Sequence, residues 1–507
     1  MQSWIHVLEW RATTRPDVTA LIDEHGRQLT YAELLSLVER RAGGWAQAGV
    51  EPGDVVAVLA RNSVDYLVHT FALMRAGALP ALVNWRLAPA ELTDLFDLIR
   101  PSAVVADAEF ALASLPSVPR RVRIGDTPGP DGWLDGAALD APPPPLPVEQ
   151  LRGDAPMALV HSSGTTGRVK CIPLRHGALI AGVAGLALET GDLGAGARHL
   201  QLMPLFHLAG LGQALKVLLT AGTSVVPTTL RPDTAIDAVE RERVEYFTAG
   251  PSLISMLVAE VRGREQTPDV SSLVEITYGS APITPAALEA ALDSFGCRFR
   301  QIYGNTESQS MVSLLDPEDH TPGDPHLASV GRVCFGWEVR IVDQQGDVVP
   351  AGAPGELHIR GEYLFHGYWN DPAATAEAFT SDGWYRTGDL ATLAPDGYLH
   401  LLDRAKDMII SGEENVYPAE VEAVLARHPD VAEVAVIGRS DSRWGESVHA
   451  CVVPVAGRYL SPDDVIAFSR DRLAHFKCPK SVELTDALPR NATGKVLKRE
   501  LRQHLTA

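Results

Sequence analysis

The 507-residue chain reads as an α/β protein. It has a large N-terminal region of helix-covered, mainly parallel sheets with a small antiparallel, barrel-like unit, followed by a small α+β C-terminal region. Three observations predict this. Short apolar runs of strand length alternate with segments of helical period from Val55 to Leu292, the rhythm of parallel sheets whose ligand loops gather at the strand C-terminal ends. From Trp337 to Leu402 the pattern becomes short alternating strands separated by turn signals such as Pro395-Asp396-Gly397, which favours an antiparallel unit. After Asp403 a compact mixture of helix and strand begins afresh.

In chain order, Val55 to Ala60 is an apolar strand, Ser63 to Ala76 a helix, Ala81-Leu82-Val83 a strand and Glu91 to Ile99 a helix. Ala141 to Pro147 holds Pro142, Pro143, Pro144 and Pro145; proline fixes φ, so the run reads as a stiff extended connector. The alternation resumes with strand Ser224 to Val226, helix Asp233 to Arg243, strand Tyr246-Phe247, helix Ser252 to Val261, strand Val274 to Tyr278 and helix Pro285 to Leu292. In the last region Ala419 to Ala426 and Pro462 to Ala474 are helical, and Glu433 to Gly438 and Val448 to Val455 are extended.

Hydrophobic residues make up 46% and charged residues 21%, the balance of a soluble globular protein. The 44 basic against 64 acidic residues give a net charge of −20, which argues against a nucleic-acid groove. Cys171, Cys297, Cys334, Cys451 and Cys478 are odd in number and form no Cys-x-x-Cys pair. Zinc and disulfide frameworks are therefore poorly supported, and a reducing cytoplasm is the natural setting. Met1 to Arg15 lacks the apolar core of a signal peptide, and no uncharged apolar run approaches the ~18 residues that span a bilayer.

The most informative stretch is His161-Ser162-Ser163-Gly164-Thr165-Thr166-Gly167-Arg168-Val169-Lys170. Glycines let backbone amides turn toward an anion, hydroxyls add donors, and Lys170 supplies charge, so the stretch reads as a phosphate-handling loop. It is not the common nucleotide loop, which places lysine directly after the second glycine, where this chain has Arg168.

Four further stretches follow: Pro204-Leu205-Phe206-His207, Tyr303-Gly304-Asn305-Thr306-Glu307, Trp384-Tyr385-Arg386-Thr387-Gly388-Asp389 and Pro489-Arg490-Asn491-Ala492-Thr493-Gly494-Lys495. Together with the phosphate loop they resemble the adenylate-forming superfamily of acyl-CoA synthetases, aryl-CoA ligases, beetle luciferases and nonribosomal adenylation domains. The resemblance runs from Leu29-Thr30-Tyr31-Ala32-Glu33-Leu34 to Lys498. It implies an N-terminal domain, 1–402, that holds ATP and the acyl group, and a mobile C-terminal domain, 403–507, that turns about a hinge at Lys406.

Adenylation brings a carboxylate onto the α-phosphate of ATP, so the site must supply positive charge and placed donors. The resemblance assigns that charge to Lys495. It assigns Mg²⁺ to Glu307, a phosphate contact to Thr306, the adenine-side loop to Gly279-Ser280-Ala281-Pro282, and an adenine-facing ring to Tyr303 beside Gly304. Asp389 would accept the ribose hydroxyls, a task suited to two carboxylate oxygens. Arg404 would also reach the nucleotide, and His207 would gate the acyl channel. Leu208, Ala209 and Leu211 suit an apolar acyl pocket, and Cys171 packs. No aspartate follows the Pro204–His207 stretch where amino-acid-activating domains hold an ammonium, which disfavours the nonribosomal reading.

The chain departs from the pattern at Gly412-Glu413, where many relatives carry two glycines in the pantetheine channel for CoA. A glutamate there adds bulk and, if ionised, disfavours the thiolate; if it faces solvent, nothing changes. The leading expectation is an ATP- and Mg²⁺-dependent ligase that converts a small carboxylic acid to acyl-AMP and passes it to CoA. The alternatives are passage of acyl-AMP to a partner protein, a luciferase-like oxidation, and nucleotide binding without catalysis.

Overall fold

The computed structural model describes residues 2–504 except 112–117, 126–130, 145, 164–168, 192–193, 282, 322, 405–406, 412–413, 442–443 and 492–493. Two large sheets organise the N-terminal region. In the first, Val55–Leu59 lies between parallel neighbours Leu79–Leu82 and Ala103–Asp107. All five residues of Val55–Leu59 are buried, as a strand covered on both faces requires. Its edge is the antiparallel pair Pro156–Ser163 and Val169–Arg175, which sets Ser162 opposite Lys170.

The second sheet has nine strands. Arg298–Tyr303, Glu275–Tyr278 and Tyr246–Ala249 run parallel side by side, with Arg198–Leu200, Thr223–Val226 and Thr19–Asp23 continuing the parallel set. The expected helices between the strands of both sheets form, with Val64–Arg75 in the first and Pro232–Glu242, Pro251–Gly263 and Pro285–Phe295 in the second matching the periodic stretches to within a few residues.

The Thr30-Tyr31-Ala32-Glu33 stretch explains itself locally. Thr30 Oγ1 accepts from the Glu33 amide and Glu33 Oε2 accepts from the Thr30 amide, a reciprocal cap on the Tyr31–Gln47 helix worth ~1 kcal/mol. The proline run is extended but is no free tether. It crosses the same helix at Gly43, where a Cβ would lie 1.9 Å from the Pro142 carbonyl oxygen, and Leu146 O accepts from Arg75 Nη1 at 2.8 Å.

The antiparallel unit pairs Trp337–Val342, Gly355–Gly361, Tyr385–Leu393 and Leu399–Arg404 in that order. Among the described residues no pairing joins its first and last strands, so the barrel-like expectation resolves into an open meander. Beyond it, Val431–Asp441 and Gly445–Pro454 form a long hairpin within a five-stranded sheet, packed by helices Pro418–Leu425 and Pro462–Arg470 around Val421, Leu425, Val436 and Val465. The second helix stops short of Ala474 in a turn where Ser469 O accepts from Arg472 N.

Candidate active site

Because Tyr246–Ala249, Glu275–Tyr278 and Arg298–Tyr303 are parallel neighbours, the loops that follow them open at one end of the sheet. Those loops carry Gly279–Ala281 and Gly304–Glu307, and Ser252 stands in the first turn of the helix Pro251–Gly263 that follows Tyr246–Ala249. Gly279 is required for close approach, since a Cβ there would lie 2.7 Å from Ile302 O. Ser280 follows at φ +68°, a left-handed conformation that costs a non-glycine residue energy and clusters at functional sites.

The antiparallel meander adds Asp389, whose register partner is Arg404. The Asp389 side chain, in a residue only 5% exposed, accepts from Tyr303 Oη at 2.6 Å on Oδ2 and pairs with Arg404 Nε at 2.7 Å on Oδ1. Burial works against the Arg404 charge, but Asp389 and Tyr303 offset this and hold its pKa above the usual value. Burial and then the Asp389 carboxylate push the Tyr303 phenol well up, so it stays a donor.

A second cluster lies beside the first. Glu307 Oε1 accepts from Tyr368 Oη at 2.9 Å, and Lys170 Nζ stands 4.6 Å from the centre of the Tyr368 ring, a cation–π contact. Phe365 N donates to Glu307 O and fixes the loop. Glu307 Oε2 has no protein partner among the described residues, so the carboxylate can offer a hard oxygen to a cation.

His207 caps the Leu208–Thr220 helix, its Nδ1 accepting from Ala209 N at 3.2 Å. His161 lies near it, with Nε2 accepting from Asn84 N at 2.9 Å. Burial holds both imidazole pKa values down to about 4, with His207 adding to the effect at His161, so both are neutral near neutrality. Beyond His207 a narrow pocket runs between two helices. Ala209, Gly212, Gln213 and Lys216 form one stripe of Leu208–Thr220, and Leu179, Gly182, Val183, Leu186 and Thr190 form one stripe of His176–Thr190. Leu208 and Ala209 line it as expected, but Leu211 is fully buried in the core instead. Nor is the pocket wholly apolar, since Thr248, Thr277, Arg300 and Lys216 also face it.

Lys495 is exposed on a turn closed by its own backbone, where Lys495 N donates to Asn491 Oδ1 and Asn491 N to Lys495 O. Arg490 ties that turn down. Its Nη1 donates to Gly494 O at 2.6 Å and to Ser252 Oγ at 2.9 Å, and its Nη2 pairs with Glu433 at 2.9 Å. The C-terminal lysine loop is thus fastened to the sheet end that carries the other site residues. Of the expected site residues, Gly164, Thr165, Thr166, Gly167, Pro282, Lys406, Gly412 and Glu413 lie outside the described residues.

Comparison with known proteins identifies this arrangement. Residues 8–369 match the model of the AMP-binding enzyme, and residues 420–495 match the AMP-binding enzyme C-terminal domain. The chain belongs to the AMP-binding enzyme family. It is 41% identical to a feruloyl-CoA synthase from an Amycolatopsis species over 97% of both chains. It is 40% identical to an indoleacetate–CoA ligase from Aromatoleum aromaticum over 94% of this chain and 93% of that one. A solved o-succinylbenzoate CoA synthetase from Bacillus subtilis, in complex with its acyl-adenylate intermediate, superposes with a TM-score of 0.83 at 29% identity, over 99% and 98% of the two chains.

Within this AMP-binding enzyme, sequence reading missed Tyr368, the docking role of Arg490 and the polar wall of the pocket. Tyr368 stands in Gly367-Tyr368-Trp369, an aromatic pair after a glycine at φ +145° just before a Pro-initiated helix, which was the available signal. Arg490 stood in a quoted motif, but its target, Ser252, is 238 residues away.

Proposed function

We propose that this AMP-forming acid–CoA ligase activates an aromatic carboxylic acid, with Lys495, Glu307, Asp389 and Arg404 in the roles that follow. The acid's carboxylate attacks the α-phosphorus of ATP and pyrophosphate leaves. The thiol of CoA then attacks the acyl carbonyl and AMP leaves. In the first step two anions meet, so a cation must move onto the reacting oxygens, and Lys495 is assigned that task. Asp389, oriented by Tyr303 and Arg404, would receive the ribose through the lone pairs its present partners leave. Thr306 would meet phosphate, and Glu307 would hold Mg²⁺, which when bound neutralises phosphate charge. His207, neutral beside neutral His161, would border the acyl channel without repelling or pairing with the incoming carboxylate. The chain would turn after Arg404, near Lys406, between the two steps.

The observation that carries this reading is the fastening of the Lys495 loop, through Arg490 and Ser252, to the sheet end that also holds Tyr303 and Glu307, where Tyr303 binds Asp389 of the meander. Pyrophosphate exchange across a panel of aromatic acids, with thioester detection after CoA is added, tests it. Lys495→Ala is expected to lower exchange by at least about 10²-fold, the scale of a lost transition-state contact. Exchange that survives at the parent rate would refute the role of Lys495.

A further inference from the structure

The charges around the acyl pocket are unevenly satisfied. Arg300 is fully engaged, its Nε and Nη2 on Glu275 and its Nη1 on Asp316. Gln213 is likewise occupied, its Oε1 accepting from Thr248 Oγ1 and its Nε2 meeting His199 Nδ1. Lys216 differs. It lines the pocket, is 7% exposed, and its Nζ has a single hydrogen-bond partner among the described residues, the Thr190 hydroxyl at 3.1 Å. An ammonium carries three donors, and removing it from water against one neutral hydroxyl is costly unless a further acceptor arrives.

Its position along the pocket says where that acceptor would sit. His207 and Lys216 are the N-cap and the ninth residue of one helix, so about 13 Å of rise separates the gate from the ammonium's anchor. Apart from Gln213, already occupied, the helix walls between them are small or apolar: Ala209, Gly212, Gly182, Val183 and Leu186.

Building on the adenylation reading, we infer that Lys216 is a specificity-determining residue that selects acids bearing an oxygen function at the end remote from the reacting carboxyl. An oxygen there receives the idle N–H donors. An acid ending in hydrogen or methyl leaves the buried ammonium without a partner, and sites built to hydrogen-bond a group reject analogues that lack it. The other charges near Lys216 are Glu275, Arg300 and the imidazole of His199. Burial lowers the Lys216 pKa from its usual value to about 8, with Glu275 acting in the opposite sense, so it remains mostly protonated near neutrality.

The test uses the full-length enzyme and matched pairs of aryl and linear acids, with and without a terminal hydroxyl or carboxylate, scored as kcat/KM for pyrophosphate release. The parent is expected to favour the oxygenated member by at least about tenfold, and Lys216→Met to collapse that ratio while retaining activity on the unsubstituted acid. A parent without preference, or a variant that lowers both members equally, overturns the inference. Should the variant fail to fold, the parent's own profile decides. From about pH 7 to about pH 9 the KM of the oxygenated acid should rise while that of its partner stays flat, and parallel profiles overturn the inference. If the parent activates no acid at all, the adenylation reading itself falls; if acids are activated and only the ratio is indifferent to Lys216, the selectivity alone falls.

Discussion

Asp389 shows how a single side chain can be committed twice. The resemblance at Thr387-Gly388-Asp389 led to the expectation of a ribose contact, but the partners of the carboxylate were not legible, because Tyr303 and Arg404 reach it only through the register of the folded meander and the neighbouring sheet. The distinction matters for mutagenesis. Removing the carboxylate would leave the Arg404 guanidinium without its partner, so loss of activity in Asp389→Ala would mix ATP binding with folding. Tyr303→Phe is cleaner, since it keeps the ring and deletes one hydrogen bond to a charged acceptor, typically worth about 1.5–3 kcal/mol. The expected outcome is a several-fold rise in the KM for ATP with a lowered unfolding temperature and an unchanged KM for the acid. An unaltered KM for ATP would show that the hydroxyl does not orient the carboxylate for the nucleotide.

At the scale of elements, the strands and helices were readable because periodicity reflects burial of one face, a local property. Val55–Leu59 and Pro285–Phe295 announce themselves within their own residues. What a segment does for distant chain was not readable, and the proline run illustrates it: its stiffness is local, but its seat against Gly43 is set by tertiary packing. The Lys495 loop is the functional case. Its composition suggested a phosphate contact, while its hold on the other domain rests on Arg490 Nη1 and Ser252 Oγ at 2.9 Å. Ser252→Ala deletes that bond and leaves the Arg490 contacts to Gly494 and Glu433 in place. A bond worth ~1 kcal/mol corresponds to roughly fivefold in the population of the docked loop. Adenylation should fall by about that factor, whereas single-turnover transfer of preformed acyl-AMP to CoA should not fall. An equal loss in both half-reactions would contradict a role for the contact in one orientation only.

For the molecule as a whole, the sequence counted 16 histidines without saying which are neutral, since only burial decides that. His69, His176 and His199 are among those almost wholly enclosed in the N-terminal region, and each uses Nδ1 within the fold. His69 accepts from the Trp45 indole, His176 from the Trp4 amide, and His199 meets the Gln213 amide. Burial lowers their pKa values to about 3, about 4 and about 3, with Arg41, His6 and Lys216 respectively adding to it. The sign of the consequence is fixed. In the unfolded chain these rings take up protons below about pH 6.5, whereas in the folded protein they do not until roughly pH 4 or lower, so stability is lost as pH falls through that window. Each unmatched proton contributes ~1.4 kcal/mol per pH unit, so these three together with His161 and His207 give a slope on the order of 7 kcal/mol per unit once the unfolded rings are protonated. Against a typical total stability of roughly 5–15 kcal/mol, the N-terminal region should lose its resistance to urea steeply between about pH 6.5 and about pH 5, before most carboxylates titrate. Unfolding monitored across that range, with proton uptake measured in buffers of different ionisation enthalpy, checks the slope. A urea midpoint that stays level from about pH 7 to about pH 5 would show that these imidazoles are not held neutral by the core.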